Sequence, residues 1–193
     1  MNIFSRIIDK SIYTQKKNIN INENFILGKD ETLKPKFARI LGINYSVNVY
    51  YLKIKSPQLN LSQNSINIYL PIQYRKNDNQ NLLNIILLKM YTKIAEQEIE
   101  LIMEKARYSF GFAPEDYEIE KMVDTLASCN KDLQTISINP YISMYRKEII
   151  EYIIFHEFCH LKYKTHSKKF YNMLKQYKPN YESIAKQLPN FKY

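Results

Sequence analysis

The chain has three histidines in 193 residues, and all three fall between positions 156 and 166. His156 and His160 bracket Glu157 in the segment H-E-F-C-H, and a four-residue spacing sets two imidazoles one turn apart on the same helix face. One metal ion can bridge them there. At about 100° per residue, Ile149 and Ile153 lie on the same stripe, while Ile150, Tyr152, Ile154, Phe155, Phe158, Cys159 and Leu161 cover most of the rest. A helix that is apolar nearly all round is a buried one. Histidines and a carboxylate inside such a helix cost free energy unless they are coordinated or paired. Core histidines satisfied by hydrogen bonds are the plain alternative. The spacing, with a glutamate between the two, favours a metal site over it.

Three neutral imidazoles leave a fourth tetrahedral position open, which is the arrangement of a catalytic zinc rather than a closed structural one. Zinc lowers the pKa of a bound water from 15.7 toward about 7 and polarises a carbonyl oxygen. Glu157 follows His156 directly, so its carboxylate flanks the ligand face without joining it and can act as a general base. The third ligand has two candidates. His166 follows a five-residue loop that can turn the chain back, whereas Glu182, 22 residues past His160, fits the pattern of His₂Glu zinc sites. His166 is the expected ligand.

A length of 193 residues suits one domain, 1–193, with a sizeable core. No apolar run reaches the ~18 to 20 residues of a membrane span. The opening M-N-I-F-S-R-I-I-D-K has neither a sustained apolar core nor a small-residue cleavage site, so a cytoplasmic protein is expected. Cys129 and Cys159 are too few for a disulfide framework. Cys159 points about 100° away from His160 and reads as core. The net charge is +9, and from His156 onward there are eight lysines against Glu157 and Glu182. Such a bias suits nucleic acid or an acidic substrate. The abundance of Lys, Asn, Ile and Tyr throughout the chain is the simpler explanation, and nucleic acid is the lesser partner reading.

Residues 1–36 read as an extension of the same domain, with helical spacing at Ile3, Phe4, Ile7 and Ile8 and alternation at Ile19 and Ile21. Tyr45, Val47, Val49 and Tyr51 alternate with polar neighbours as a strand with one buried face does. Ile66, Ile68 and Leu70 mark a second strand ended by Pro71, and a polar loop between the two predicts an antiparallel pair. From 78 to 110 the period becomes helical, through Ala95, Ile99, Ile102, Met103, Ala106 and Phe110, with Gly111 at the left-handed end. This predicts one long helix, or two with a break. Residues 117–123 and 133–139 read as strands, and the second leads into the metal helix, so its edge around Gln134 to Ile138 is expected to hold extended substrate. Ser167 caps a further helix bearing Phe170, Met173, Leu174 and Tyr177, and a last short helix runs from Tyr181 to Leu188.

The segment H-E-F-C-H-L-K-Y-K-T-H-S-K-K-F, from His156 to Phe170, resembles the signature of the YgjP-like family of zinc metallopeptidases, related to the SprT-type proteases. Ala127-Ser128-Cys129 and Ile136-Ser137-Ile138-Asn139 stand where that family has a stretch like R-W-G-S-C followed by I-x-L-N. Lys89 to Ala95 and Lys178-Pro179-Asn180-Tyr181 are also similar. The likeness covers about residues 80 to 185, the metallopeptidase-like core. It implies His156, His160 and His166 as zinc ligands and Glu157 as general base. It also implies an α+β, zincin-like fold with a small antiparallel sheet, a long helix and a buried metal-binding helix. Thr125 and Leu126 replace the family's Arg and Trp, and Ala127 its Gly. A rival zincin pattern needs glycine where this chain has Tyr163.

Two functions follow. One is a zinc-dependent peptidase acting on protein or peptide. The other is a non-catalytic, zinc-braced basic module binding nucleic acid or a protein partner. A structural zinc needs no base, so Glu157 favours the enzyme.

Overall fold

A computed structural model of the chain describes residues 37–76 and 78–188. The fold is α+β, and the chain divides into two compact units, with the boundary between Lys93 and Ile94. The readings at Ile3 to Ile8 and at Ile19 and Ile21 lie outside the described residues.

The first unit holds a four-stranded sheet of β1 (Phe37–Ile40), β2 (Ile43–Leu52), β3 (Gln58–Leu61) and β4 (Ser65–Pro71), in the order β1-β2-β4-β3. Leu41 and Gly42, both at positive φ, form the two-residue turn joining β1 to β2. The inward side chains of β4, Ile66, Ile68 and Leu70, are 0% exposed. The alternation read for that strand is therefore its core face. No residue of β2 is fully buried, so its alternation does not mark a wholly buried face.

β2 and β4 are parallel, not the antiparallel pair that the polar loop suggested. The segment between them is itself a strand. β3 makes the return journey and pairs antiparallel with β4 on its far side, through Leu59↔Ile68 and Leu61↔Ile66.

One unbroken helix, α1 (Gln80–Phe110), follows and contains the boundary between the units. It stops at Gly111, whose φ of 71° and N–H bond to the Arg107 carbonyl at 3.0 Å form a left-handed terminus.

The second unit has a three-stranded sheet of β5 (Asp116–Ile119), β6 (Ala127–Asn130) and β7 (Thr135–Ile138), in the order β5-β7-β6. β5 ends at Ile119, short of the predicted Val123. β7 is central, parallel to β5 and antiparallel to β6. Both of its edges are therefore paired, which overturns the expectation that β7 offers an edge to substrate. The edge strands are β5 and β6, and the sequence of β6, A-S-C-N, has no apolar alternation to announce it.

After β7, Asn139 caps a short turn at Pro140–Met144, and α2 (Lys147–Lys162) begins. Ser167 caps α3 (Lys168–Tyr177) by accepting the Phe170 N–H, and α4 (Tyr181–Ala185) is a final short helix. The core gathers on α2, as its sequence demanded: Ile149, Ile150, Leu161 and every residue from Tyr152 to Cys159 are buried. Phe110 packs against Phe155, Phe158 and Tyr177, with ring centroids 5.3, 5.4 and 4.1 Å away. Among the described residues, no helix is long and apolar enough to cross a membrane.

Candidate metal centre

α2 carries His156 and His160 on one face, and α3 is placed so that the loop before it returns His166 to them. The three Nε2 atoms stand 3.2 Å (His156 to His160), 3.1 Å (His160 to His166) and 3.0 Å (His166 to His156) apart. These separations are close to the about 3.3 Å set by a tetrahedral ion with bonds of ~2.0 to 2.1 Å. Ring nitrogens so placed repel unless a cation or shared protons lie between them. His160 Nδ1 lies 3.0 Å from the Tyr163 carbonyl. Only the ring can donate in that contact, so the Nε2 of a neutral His160 keeps its lone pair toward the centre. Among the described residues, these three histidines form the one cluster of side chains whose atoms could hold a metal ion. Glu182 is exposed on α4, outside it.

The electrostatics suit the same role. His156 is 3% exposed, and burial, with the charges of His160 and His166, pushes its pKa down to about 3. Burial also lowers His160, against the Tyr163 carbonyl, and lowers His166. All three are therefore neutral near pH 7, the form that binds a metal. Phe170 fixes the rings from below. It is 0% exposed, and its ring centroid lies 4.8, 4.7 and 4.8 Å from those of His156, His160 and His166. The sequence marked Phe170 only as part of a helix face.

Glu157 lies on the side of α2 that meets β6. It is 7% exposed, and burial raises its pKa to about 8 even though the Cys129 backbone N–H bonds to it and opposes the shift. Glu157 shares a cavity with His156, His160, Leu126, Ala127 and Ile153. Thr125 lines it too, so the three positions that depart from the family signature all face the site. The loop ahead of β6 is held by Asn139, which is 4% exposed. Its Nδ2 donates to the carbonyls of Met122 at 3.0 Å and Thr125 at 2.9 Å, and its N–H to that of Leu126 at 2.8 Å.

Both cysteines are free. Burial first, then the nearby Glu157 charge, pushes each thiol up to about 12, with Lys131 opposing at Cys129. Cys159 is buried core, as expected. Cys129 serves the site through its backbone N–H.

The solved structures similar to this chain include two crystal structures of metallopeptidase zymogens. Abylysin from Pyrococcus abyssi has a TM-score of 0.44 and 24% identity, over 47% of this chain and 90% of that one. Jannalysin from Methanocaldococcus jannaschii has a TM-score of 0.43 and 29% identity, over 47% of this chain and 87% of that one. No curated protein matches the chain. The family comparison extends the likeness beyond residues 80 to 185 in both directions. The YgjP-like metallopeptidase domain matches residues 5–191, and the chain belongs to that family.

Proposed function

We propose that the chain is a zinc-dependent, zincin-like peptidase that hydrolyses peptide bonds in protein or peptide substrates. The observation that carries this reading is the juxtaposition of the three converging Nε2 atoms with the buried Glu157 carboxylate in one cavity. His156, His160 and His166 would hold the metal. Zinc bound there supplies Lewis acidity and makes water a nucleophile near neutral pH.

The remaining work falls to the chain. Glu157 accepts the water's proton and returns it to the leaving amine. Burial favours its protonated form, and a cation beside it favours the ionised form, so metal binding prepares the base. The Cys129 N–H orients the carboxylate. Substrate is held extended by adding to the edge of β6 that β7 does not pair, through backbone groups other than the Cys129 N–H, and residues of β6 line the cavity. Glu157 also weighs against a purely structural zinc, which needs no base.

The test is metal analysis of the purified protein beside a protease assay of wild type and Glu157→Gln. One zinc per chain in both proteins, with activity only in the wild type and lost on chelation, is the expected result. Activity in metal-free protein, or unchanged activity in Glu157→Gln, would refute the reading.

A further inference from the structure

Two cavities flank the histidines, and they differ in character. They share Ser128, Cys129, His160 and Lys164. The first continues past Thr125 to Leu126, Ala127 and Ile153, so the part of it that the second does not share is mainly apolar beyond His156 and Glu157. The second continues to Asn130, Lys131 and Asp132. Two lysines and one carboxylate therefore line it, while the only carboxylate lining the first is Glu157. Lys131 is not a loose surface cation. Its Nζ donates to the Lys162 carbonyl at 2.8 Å, which fixes the ammonium at the C-terminal end of α2 with donors still available to a ligand. Lys164, exposed on the loop between His160 and His166, lines both cavities.

The order along β6 gives these cavities a direction. Ala127 begins the strand at the apolar cavity, and Asn130 ends it at the cationic one. Lys131 to Lys162, and Gln134 Nε2 to the Leu161 carbonyl at 3.3 Å, tie the turn after β6 to the end of α2. Antiparallel pairing is the more stable way to add a strand to an edge. A substrate strand antiparallel to β6 places the residues preceding the scissile bond against Lys131, with Lys164 beside them where the two cavities join. Those following it meet Leu126 and Ile153.

We infer that this peptidase selects substrates with an acidic residue on the N-terminal side of the cleaved bond, with Lys164 and Lys131 as the specificity-determining residues. The inference rests on the proposed peptidase function and names its substrate class. The charges are partly solvated, so the selection is modest, about fivefold per acidic residue at low salt. It shrinks as salt screens the pair.

The test uses the full chain loaded with zinc. Cleavage of a mixed peptide library, read by mass spectrometry, should show Asp and Glu enriched within three residues before the cut, and Lys164→Glu should move the enrichment to Lys and Arg at unchanged zinc content. In parallel, zinc-loaded Glu157→Gln should bind a Glu-containing peptide more tightly than its Lys counterpart by fluorescence anisotropy, with the order reversed when Lys164→Glu is added. Equal binding of the two peptides, or a preference that Lys164→Glu leaves unchanged, would overturn the inference. Selective binding that Lys164→Glu reverses, without any cleavage by the wild type, would support Lys164 as the contact for acidic peptides while refuting the peptidase reading and, with it, the placement before a cleaved bond.

Discussion

Lys178 Nζ lies 2.6 Å from Glu151 Oε1, and this ion pair ties the C-terminal end of α3 to the helix that carries His156 and His160. Lys105 of α1 reaches the same oxygen at 2.7 Å. Burial alone raises the Glu151 carboxyl, but the hydrogen bonds and charges of Lys105 and Lys178 outweigh it and hold the pKa below the ordinary 4.5. A carboxyl lowered in the fold stabilises the protein above its unfolded pKa, and that contribution is lost as pH falls from about 4.5 through the folded value. Glu151→Gln should therefore cost at least about 1 kcal/mol at pH 7, the upper end for an exposed pair because Glu151 and Lys178 are partly buried, and less at pH 3. Urea melts at the two pH values check it. An equal loss at both would remove the ion pair from the account.

His166 reaches the site because Ser167 starts α3 immediately after it. His166→Ala should sharply weaken zinc binding, whereas Glu182→Ala, on exposed α4, should leave zinc affinity unchanged and stability within about 0.5 kcal/mol. Zinc titration by calorimetry distinguishes them. Loss of zinc in Glu182→Ala alone would move the third ligand to α4.

Phe170 touches all three histidine rings, so it should govern both packing and ligand order. Phe170→Ala should cost about 3 to 5 kcal/mol and weaken zinc binding. Phe170→Leu keeps most of the apolar volume and should fold, yet still bind zinc less tightly because its side chain lacks a flat ring to seat the imidazoles. Thermal melts with and without zinc separate the two effects. Wild-type zinc affinity in Phe170→Leu would reduce Phe170 to core filling.

What could be read from the residues follows physical range. α1, α2 and α3 were legible because helical order is local: the apolar period, Gly111 and the Ser167 cap all lie within a few residues of what they specify. Strand pairing is not local. Leu59 and Leu61 form a strand too short to stand out beside Pro57, and missing it reversed the expected sense of β2 and β4. The family signature drew attention to Ala127-Ser128-Cys129, but nothing in those residues said that they form the edge strand beside Glu157. The expectation that β7 holds substrate rests on its leading into α2, and chain order does not say which edges of a strand are already paired. His166 could be chosen over Glu182 from loop length and resemblance. Phe170 and Lys131 could not be tied to the site without the fold.

Asn139 shows how one buried amide organises the wall of the cavity beside Glu157. Its side chain accepts the Tyr141 N–H at 3.2 Å, and its Nδ2 holds the Met122 and Thr125 carbonyls, so the loop carrying Thr125 and Leu126 is pinned just before β6. Asn139→Asp keeps the acceptor and removes both amide donors, leaving two carbonyls facing a carboxylate. Unsatisfied buried partners cost about 1 to 3 kcal/mol each, so the variant should be markedly less stable. Because none of these bonds touches His156, His160 or His166, zinc affinity in the folded protein should stay close to wild type. In contrast, KM for a peptide substrate should rise, since Thr125, Leu126 and Ala127 line the cavity that receives it. Steady-state kinetics at a temperature where the variant is folded, beside a zinc titration, make the comparison. An unchanged KM with lowered zinc affinity would mean that Asn139 supports the ligand helix rather than the substrate wall.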